Sequence, residues 1–556
     1  MIIEAIKKFL HGDVLTDETT LQKYSHDTSL FEIKPEAVVF PKDSSDIKGL
    51  VRFVRERRAI DSSEKIYLTP RSAGSDMTGG PLGESLVLDF TKYFNHILEI
   101  GDLLNSSGGE SEGYALVEPG VFYRDFDRAT REKDYFMPSY PASRELCAVG
   151  GMTANDAGGE KTLAYGKTHD YVMQLKVVLS DGEECVLKPL TKKELEEKMQ
   201  SRNFEGETYR KMYDLLERNY DTVKAAKPRV SKNSAGYNLW DVWDRQTFDL
   251  TKLFVGSQGT LGIITEIKFR LVRPKKHSAL LIIFLKDMAS LAKVVLKVLT
   301  HKPESFESYD DHTLKIAVRY FTDMLKIMGA RNVFSLALQF LPEFFMMLSG
   351  GVPKLILEAE FTGDSEEEIY KKARAAEKDL YKSGVKTRIA KDDREEQKYW
   401  TIRRESFNLL RHHVHGKQTA PFIDDIVVRP ELLPEFLPKL NAIMNQYDLT
   451  YTIAGHIGNG NFHIIPLMNL KDQQSKKIIL ELSEKVYQLV IEFQGSIDGE
   501  HNDGLIRSPY LEKMFGKEVY KLFEETKQIF DPLNIFNPGK KVHSDLAYAL
   551  AHLKRE

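Results

Sequence analysis

Hydrophobic and polar positions along the first ninety residues predict a compact α/β unit. Ala37–Pro41 (AVVFP) is an apolar run ending at proline, which predicts a short buried strand. Ile47, Leu50, Val51 and Val54 then recur at helical spacing, with Arg55, Arg57 and Arg58 outside. Tyr67–Pro70 and Ser85–Phe90 predict two more strands, with RSAGSDMTGG (Arg71–Gly80) between them. Ligands bind open α/β sheets at the carboxyl ends of strands, which is where this glycine loop falls. Upstream, Ile2, Ile3, Ile6, Phe9 and Leu10 share one helical face, and Glu4, Lys7 and Lys8 break any signal-peptide core.

The pattern continues with a solvated excursion at 107–113, a strand at Tyr114–Val117 and a helix over Phe122–Lys133. Leu175–Leu179 alternates as a strand, and Asp181-Gly182 turns it back into Cys185–Leu187. A charged helical stretch spans Lys192–Lys224. LFVGSQGTLGIITE (Leu253–Glu266) predicts a strand, a glycine loop and a second, β-branched strand. A new pattern starts after Pro274-Lys275-Lys276: strand Leu280–Leu285, helix Ala289–Leu299, strand Lys354–Glu360, helix Ser365–Lys382. This βαβ-type order predicts a second α/β domain. The apolar region 333–352 is interrupted by Gln339, Pro342, Glu343 and a glycine pair. It is too broken to span a bilayer, leaving a buried helix or a monotopic, membrane-touching patch.

Composition narrows the class. A chain of 556 residues is too long for one core, so two or three domains are expected. The net charge of −4 and pI near 6.5 give no basic footprint for nucleic acid. The only two cysteines, Cys147 and Cys185, argue against a disulfide framework and favour a reducing, cytoplasmic compartment. Neither forms a Cys-x-x-Cys pair, which argues against an iron–sulfur cluster in this chain.

Three groups of residues carry candidate chemistry. VGGMTANDAGG (Val149–Gly159) sets two glycine doublets around Asn155 and Asp156. Backbone N–H groups in such turns form anion-binding nests, although a tight packing corner has the same composition. His456 and His463 are separated by Gly458 and Gly460, predicting a turn followed by a strand that aims both imidazoles at one point. Glu500 and His501 lie in another glycine corner after a predicted helix, Ser475–Gln494. Two histidines and a carboxylate suit a divalent ion; on spacing alone, unrelated surface residues are the better fit. Arg403 in Trp400–Arg403 is either a carboxylate ligand or part of a helix-surface ion pair.

Taken in order, RSAGSDMTGG, VGGMTANDAGG and LFVGSQGTLGIITE resemble the PCMH-type FAD-binding domain of the vanillyl-alcohol oxidase superfamily. HIGNGNFH (His456–His463), GEHNDG (Gly499–Gly504) and DPLNIFNPGK (Asp531–Lys540) are similar to the branch of glycolate oxidase flavin subunits, D-lactate dehydrogenases and D-2-hydroxyglutarate dehydrogenases. The resemblance runs from about Glu36 to Lys541. It implies an α/β and α+β fold: a two-subdomain FAD-binding domain (1–274), a substrate or cap domain with an antiparallel sheet and flanking helices (275–505), and a C-terminal helical segment returning to the FAD domain (506–556).

The resemblance also implies site residues. Pro70, Arg71, Ser72, Ala73, Gly74, Ser75, Met77, Thr78 and Gly79 would cradle the FAD pyrophosphate, with Gly80 closing the turn. Ser143, Gly150, Gly151, Thr153, Asn155, Ala157 and Gly158 would line the ribityl and phosphate chain. Tyr165, Gly166 and Asp170 would hold the adjacent corner, Gly262, Ile263 and Ile264 would face the adenine, and Glu266 and Asn537 would complete the cofactor site. FAD is expected to bind non-covalently, since loop 71–80 lacks a histidine and Cys147 is poorly placed for a flavin linkage. His456, His463 and Glu500 would hold a divalent metal, Zn²⁺ or Mn²⁺. His501 would act as general base and Arg403 would pair with the substrate carboxylate.

The implied activity is oxidation of a D-2-hydroxy acid by hydride transfer to flavin N5. The runner-up readings are an alkylglycerone-phosphate-synthase-like FAD enzyme and a non-catalytic flavoprotein. Three departures bear on the substrate. The common GEHGxG reads GEHNDG here, Pro421–Val428 (PFIDDIVV) lacks the lysine used for a second carboxylate, and Ile465 replaces an asparagine. The Asp-Asp form resembles long subunits fused to an iron–sulfur domain, whereas the sequence ends at Glu556. A separate electron acceptor is therefore expected: an iron–sulfur protein, a quinone or an electron-transfer flavoprotein. Peripheral contact with the inner face of a membrane is compatible with this.

Overall fold

The computed structural model describes residues 2–103, 112–311, 313, 353–413 and 417–554, with the backbone alone for 405–413. The expected excursion at 107–113 lies mostly, and the apolar region 333–352 wholly, outside the described residues.

The first unit is a four-stranded sheet of β1 (Asp13–Leu15), β2 (Ala37–Phe40), β3 (Leu68–Arg71) and β4 (Leu86–Asp89), ordered β1-β2-β4-β3. β4 runs parallel to both β2 and β3. Buried on both faces, β2 and β4 read as near-continuous apolar runs. Helix Ser44–Ile60 covers them through Ile47, Leu50, Val51 and Val54, all fully buried.

A second sheet contains β5 (Ile97–Asp102), β6 (Gly113–Val117), β7 (Val172–Val178) and β8 (Glu184–Leu187). A small β9 (Leu190–Thr191) and β10 (Thr247–Phe248) pair lies beside it. β11 (Ile263–Leu271) returns to its centre, giving the antiparallel order β5-β6-β11-β7-β8. Two local expectations are corrected here. VGGMTANDAGG opens with a seven-residue helix, Val149–Asn155, rather than a glycine turn, and Asp156 ends it in a left-handed conformation (φ 50°). Leu253 and Phe254 close a short helix, Thr251–Phe254, instead of forming a strand. In both segments buried contacts decide the conformation against local propensity. Met152, Leu253 and Phe254 all enter the core of this unit.

The third unit is one eight-stranded antiparallel sheet. It contains β12 (His277–Leu285), β13 (Ser305–Asp310), β14 (Leu355–Gly363), β15 (Lys386–Ile389), β16 (Gln418–Thr419), β17 (Ile426–Val427), β18 (Thr450–His456) and β19 (Asn461–Met468). The path is β15-β12-β14-β13-β18-β19-β16, with β17 also on β19. β12 and β13 both pair with β14, so the βαβ order folds as a split unit and not as the parallel α/β domain its element order predicts. Alternation then sorts the side chains. Leu281, Ile283, Phe306, Leu357, Ala359 and Ile464 enter the main core on one face. On the opposite face, Leu280, Ile282, Ile356 and Tyr309 meet Tyr399, Trp400 and Ile402 of helix Asp393–His413. Register places Glu307, Glu358, His456 and His463 on this same face.

The C-terminal segment closes back on the first two units. Val519, Leu522, Phe523 and Phe530 of helix Leu511–Phe530 join the second core, and Ile535 and Phe536 join the first. Asn537 donates from Nδ2 to the Gly80 and Gln258 carbonyls at 2.9 and 2.8 Å, tying two glycine loops together.

Candidate active site

The predicted turn between the two histidines forms as Ile457–Asn459 and ends at Gly460 in a left-handed conformation (φ 68°). A Cβ on Gly460 would stand 1.8 Å from the Val428 carbonyl oxygen, so only glycine fits. The turn joins β18 to β19 so that His463 faces Ala454 and His456 faces Asn461. The two imidazoles become diagonal neighbours, their centroids 5.2 Å apart.

Glu500 and His501 enter from the loop after helix Gln473–Glu492. Asp425 sets that loop: its Oδ2 accepts the N–H groups of Gly499, Glu500 and His501 at 2.9, 2.7 and 2.8 Å, and its Oδ1 accepts from Asn461 Nδ2. Glu500 Oε1 then lies 2.9 Å from His456 Nε2 and 3.4 Å from His463 Nε2. Its Oε2 accepts from Lys232 Nζ at 2.7 Å. The two predicted histidines therefore flank the carboxylate of the third predicted metal residue, Glu500. One ligand atom from each of Asp425, His463, Glu500 and His501, but not from His456, lies within 4.8 Å of the others. Asp425 is the weakest donor in that set, because backbone N–H groups already occupy it.

The outer nitrogens of the histidines are equally well held. His456 Nδ1 is 2.8 Å from Glu307 Oε1, and His463 Nδ1 is 3.1 Å from Asp424 Oδ1. The other Asp424 oxygen is 2.8 Å from His501 Nδ1, and the His463 and His501 rings stack with centroids 5.0 Å apart. Carboxylates on the far nitrogens fix ring orientation and leave Nε2 as the presented atom. Arg403 pairs with Glu307, so its predicted position beside the histidines is reached through a buried acid. Glu307, Asp424, Asp425 and Lys232 were not among the residues singled out from sequence. The Asp-Asp pair within the apolar run PFIDDIVV is the one local sign of them.

Protonation follows from these partners. Burial alone would raise the Asp424 carboxyl, but His501 and His463 bring it down to about 2. Burial opposes charge on His463, yet Asp424 and Glu500 push it up to about 10. His501 is likewise raised by Asp425 and Asp424 against burial. Glu500 stays well below its ordinary range, because Lys232 and His456 outweigh burial.

Several of the predicted cofactor residues present unpaired backbone groups. Ser72, Ala73, Gly74 and Ser75 direct N–H groups that find no acceptor among the described residues. Gly74 and Gly79 both have positive φ, 69° and 82°. Gly150 packs tightly on Pro119, whereas a Cβ on Gly151 would meet only Ser72 Cβ, at 3.8 Å. Asp76 closes the loop: Oδ2 accepts from the Thr78 and Gly80 N–H groups and Oδ1 from Asn155 Nδ2 at 2.7 Å. Unpaired N–H groups, glycine openings and a helix N-terminus suit a pyrophosphate. At the far end, a Cβ on Gly158 would lie 2.8 Å from Glu500 Oε2, so this wall abuts the histidine cluster.

Other predicted positions have local partners. Thr153 Oγ1 donates to the Val149 carbonyl, and the Ala157 carbonyl accepts from Ser139 and Thr168. Ser143 caps the turn before Cys147, and Glu266 pairs with Lys176 on β7. Tyr165 reaches across to Glu304 at 3.1 Å, and Gly166 turns beside Asp170. Ile263 is buried against the first core, Ile264 is half-buried, and a Cβ on Gly262 would lie 2.9 Å from the Val178 carbonyl oxygen.

The fold is of the PCMH type. Residues 35–188 match the FAD binding domain, and residues 274–541 match the C-terminal domain of the FAD linked oxidases. The chain belongs to this two-domain family of FAD-linked oxidases. It is 27% identical to a D-2-hydroxyglutarate dehydrogenase of Pseudomonas putida over 97% of its own length and 51% of that protein. It thus spans about half the length of the first curated relatives it matches. It is 28% identical to the glycolate oxidase subunit GlcD of Bacillus subtilis, over 94% of this chain and 92% of that one. A D-lactate dehydrogenase of Anaerostipes hadrus is 26% identical over 97% and 96% of the two chains. Among solved structures, p-cresol methylhydroxylase superposes with a TM-score of 0.67 at 16% identity, covering 98% of this chain and 97% of that one. An alkyldihydroxyacetonephosphate synthase gives 0.63 at 14%, covering 97% and 84%. These two likenesses concern the fold alone. Among the described residues, no helix is long and apolar enough to cross a membrane.

Proposed function

We propose that this protein is an FAD-dependent dehydrogenase that oxidises a D-2-hydroxy acid of the lactate, glycolate or 2-hydroxyglutarate class to the 2-oxo acid. The observation that carries the reading is the meeting of His456, His463, Glu500 and His501 at the end of the glycine wall. Two Nε2 atoms converging on one carboxylate, each backed by an acid on Nδ1, fit a divalent ion such as Zn²⁺ or Mn²⁺. When bound, such an ion polarises the substrate hydroxyl and disfavours protonated imidazoles around it, and FAD accepts the hydride at N5.

The chain's own residues do the rest. Arg403 pairs with the substrate carboxylate and fixes which carbon faces the ring. Asp424 holds Nδ1 of His501, so that Nε2 takes the proton from the substrate hydroxyl. Lys232 balances the charge of Glu500 from the side away from the histidines. Gly158 keeps backbone alone between Glu500 and the cofactor wall. Electrons then pass to a separate acceptor, and the protein works in the cytoplasm or at the inner face of a membrane.

Metal analysis of the purified protein tests the site. We expect close to one divalent ion per chain in the wild type and little in His456→Ala, with flavin reduction by the hydroxy acid slowed at least a hundredfold. Undiminished reduction in His456→Ala would remove the metal from the reaction.

A further inference from the structure

Glu358 is the unexplained group on the active-site face of the large sheet. It sits in the middle of β14, is 0% exposed, and neither carboxyl oxygen has a hydrogen-bond partner among the described residues. Its cross-strand neighbours are Glu307 on β13 and Ile282 on β12. Paired residues on adjacent strands point to the same face with Cβ atoms about 5 Å apart. Glu358 therefore lies directly beside the acid that holds Arg403 and His456. Four charged groups surround it: Glu307 from the next strand, Arg403 and Arg404 from helix Asp393–His413, and Glu160 from the FAD-binding half. Glu360 is two positions along its own strand.

An ionised, unpartnered carboxylate is too costly to leave in such a place, so the group is retained as a neutral acid. Burial, with Glu307 and Glu160 nearby, outweighs the two arginines and pushes Glu358 up to about 8. A neutral carboxyl has an O–H to donate. The ligand that needs it is an anion drawn to Arg403. With Glu307 already on that guanidinium, an incoming carboxylate would face two negative charges if Glu358 were ionised, and one charge plus a donor if it were not.

Resting on the proposed 2-hydroxy-acid reading, we propose that Glu358 is a specificity-determining residue that donates its O–H to the substrate carboxylate beside Arg403. The sheet then grips one side of the carboxylate and the helix grips the other. O–H···O⁻ bonds of this kind are short and strong. A substrate analogue with an amide in place of the carboxylate would lose the charge that strengthens both interactions.

The test uses the full-length, FAD-loaded protein and oxalate, an unreactive dicarboxylate, with binding read from the flavin absorbance between pH 6 and 9.5. For the wild type we expect the oxalate Kd to rise steeply above about pH 8. Glu358→Gln, which still donates a hydrogen bond, should bind within about fivefold of wild type at pH 6.5 and lose the alkaline rise. Glu358→Leu should bind at least tenfold more weakly at pH 6.5 while its thermal midpoint holds or increases, because an unpaired buried acid is replaced by an apolar group. Wild-type affinity in Glu358→Leu, or an unchanged alkaline rise in Glu358→Gln, overturns the assignment. Failure of the functional reading looks different: no 2-hydroxy acid bleaches the flavin, whatever oxalate does. Oxalate binding that depends on Glu358 without such bleaching keeps the anion site and removes the reaction. Bleaching with the same KM in wild type and both variants does the reverse.

Discussion

Asp424 touches His463 with one oxygen and His501 with the other, so one side chain orients both a proposed metal ligand and the proposed base. Asp424→Asn keeps the shape and loses half of this, since an amide offers one acceptor where the carboxylate offers two. We expect the anaerobic flavin-reduction rate to fall about 10- to 100-fold, the usual loss for such supporting partners, with FAD content unchanged. A rate within twofold of wild type would show that His501 needs no support. Arg403, His456, His463, Glu500 and His501 could be singled out only through the family resemblance of their motifs, because spacing alone fits a surface reading as well. Lys232 and Glu307 could not be singled out at all. Lys232 lies 268 positions from Glu500 in sequence and Glu307 lies 149 from His456. Each stands in a segment with no local mark, and sheet register or loop packing alone brings it to the site.

Elements impose their own constraint through turns and contacts between units. Gly460 carries the turn that aims both histidines, and a Cβ there would collide with the Val428 carbonyl. Gly460→Ala should therefore cost metal content as well as activity, although the residue bears no functional group; full metal occupancy in this variant would contradict that. Between the two halves, Arg404 donates to both oxygens of half-buried Glu160 and lies over the Trp400 ring. Against burial, which raises it, Arg404 brings the Glu160 carboxyl from 4.5 to about 2. A folded-state value below the unfolded one means stability that is present above pH 4.5 and lost as pH falls toward 2, on the order of 3 kcal/mol in full. Monitored by tryptophan fluorescence, acid unfolding of Arg404→Gln should begin at a higher pH than that of wild type. Coincident titrations would show that the pair contributes nothing. The strands were legible from alternation. The helix at Val149–Asn155 was not, because two glycines argue for a turn and only the buried contacts of Val149 and Met152 favour a helix.

At the scale of the molecule, the cofactor cradle and the histidine cluster belong to separate halves that meet at Glu500 and Gly158. Lys232, from the first half, reaches both the Gly159 carbonyl and Glu500. Lys167 reaches Asp156 at 2.9 Å and the Gly499 carbonyl at 2.8 Å. The ends of VGGMTANDAGG are thus pinned to the loop that presents Glu500 and His501. Under the proposed function, this juxtaposition would let one face of a flavin meet a metal-held hydroxy acid. It was legible only as a resemblance, since no periodicity reports on how two domains dock. The most direct measurement is stopped-flow reduction of the FAD-loaded protein, without oxygen, by D-lactate, glycolate and D-2-hydroxyglutarate and by their α-deuterated forms. If the α-hydrogen passes to the flavin as hydride, at least one of these acids bleaches it, with a several-fold slower rate for the deuterated form. A flavin that none of the three reduces, or a rate indifferent to deuterium when chemistry limits, contradicts hydride transfer from a D-2-hydroxy acid.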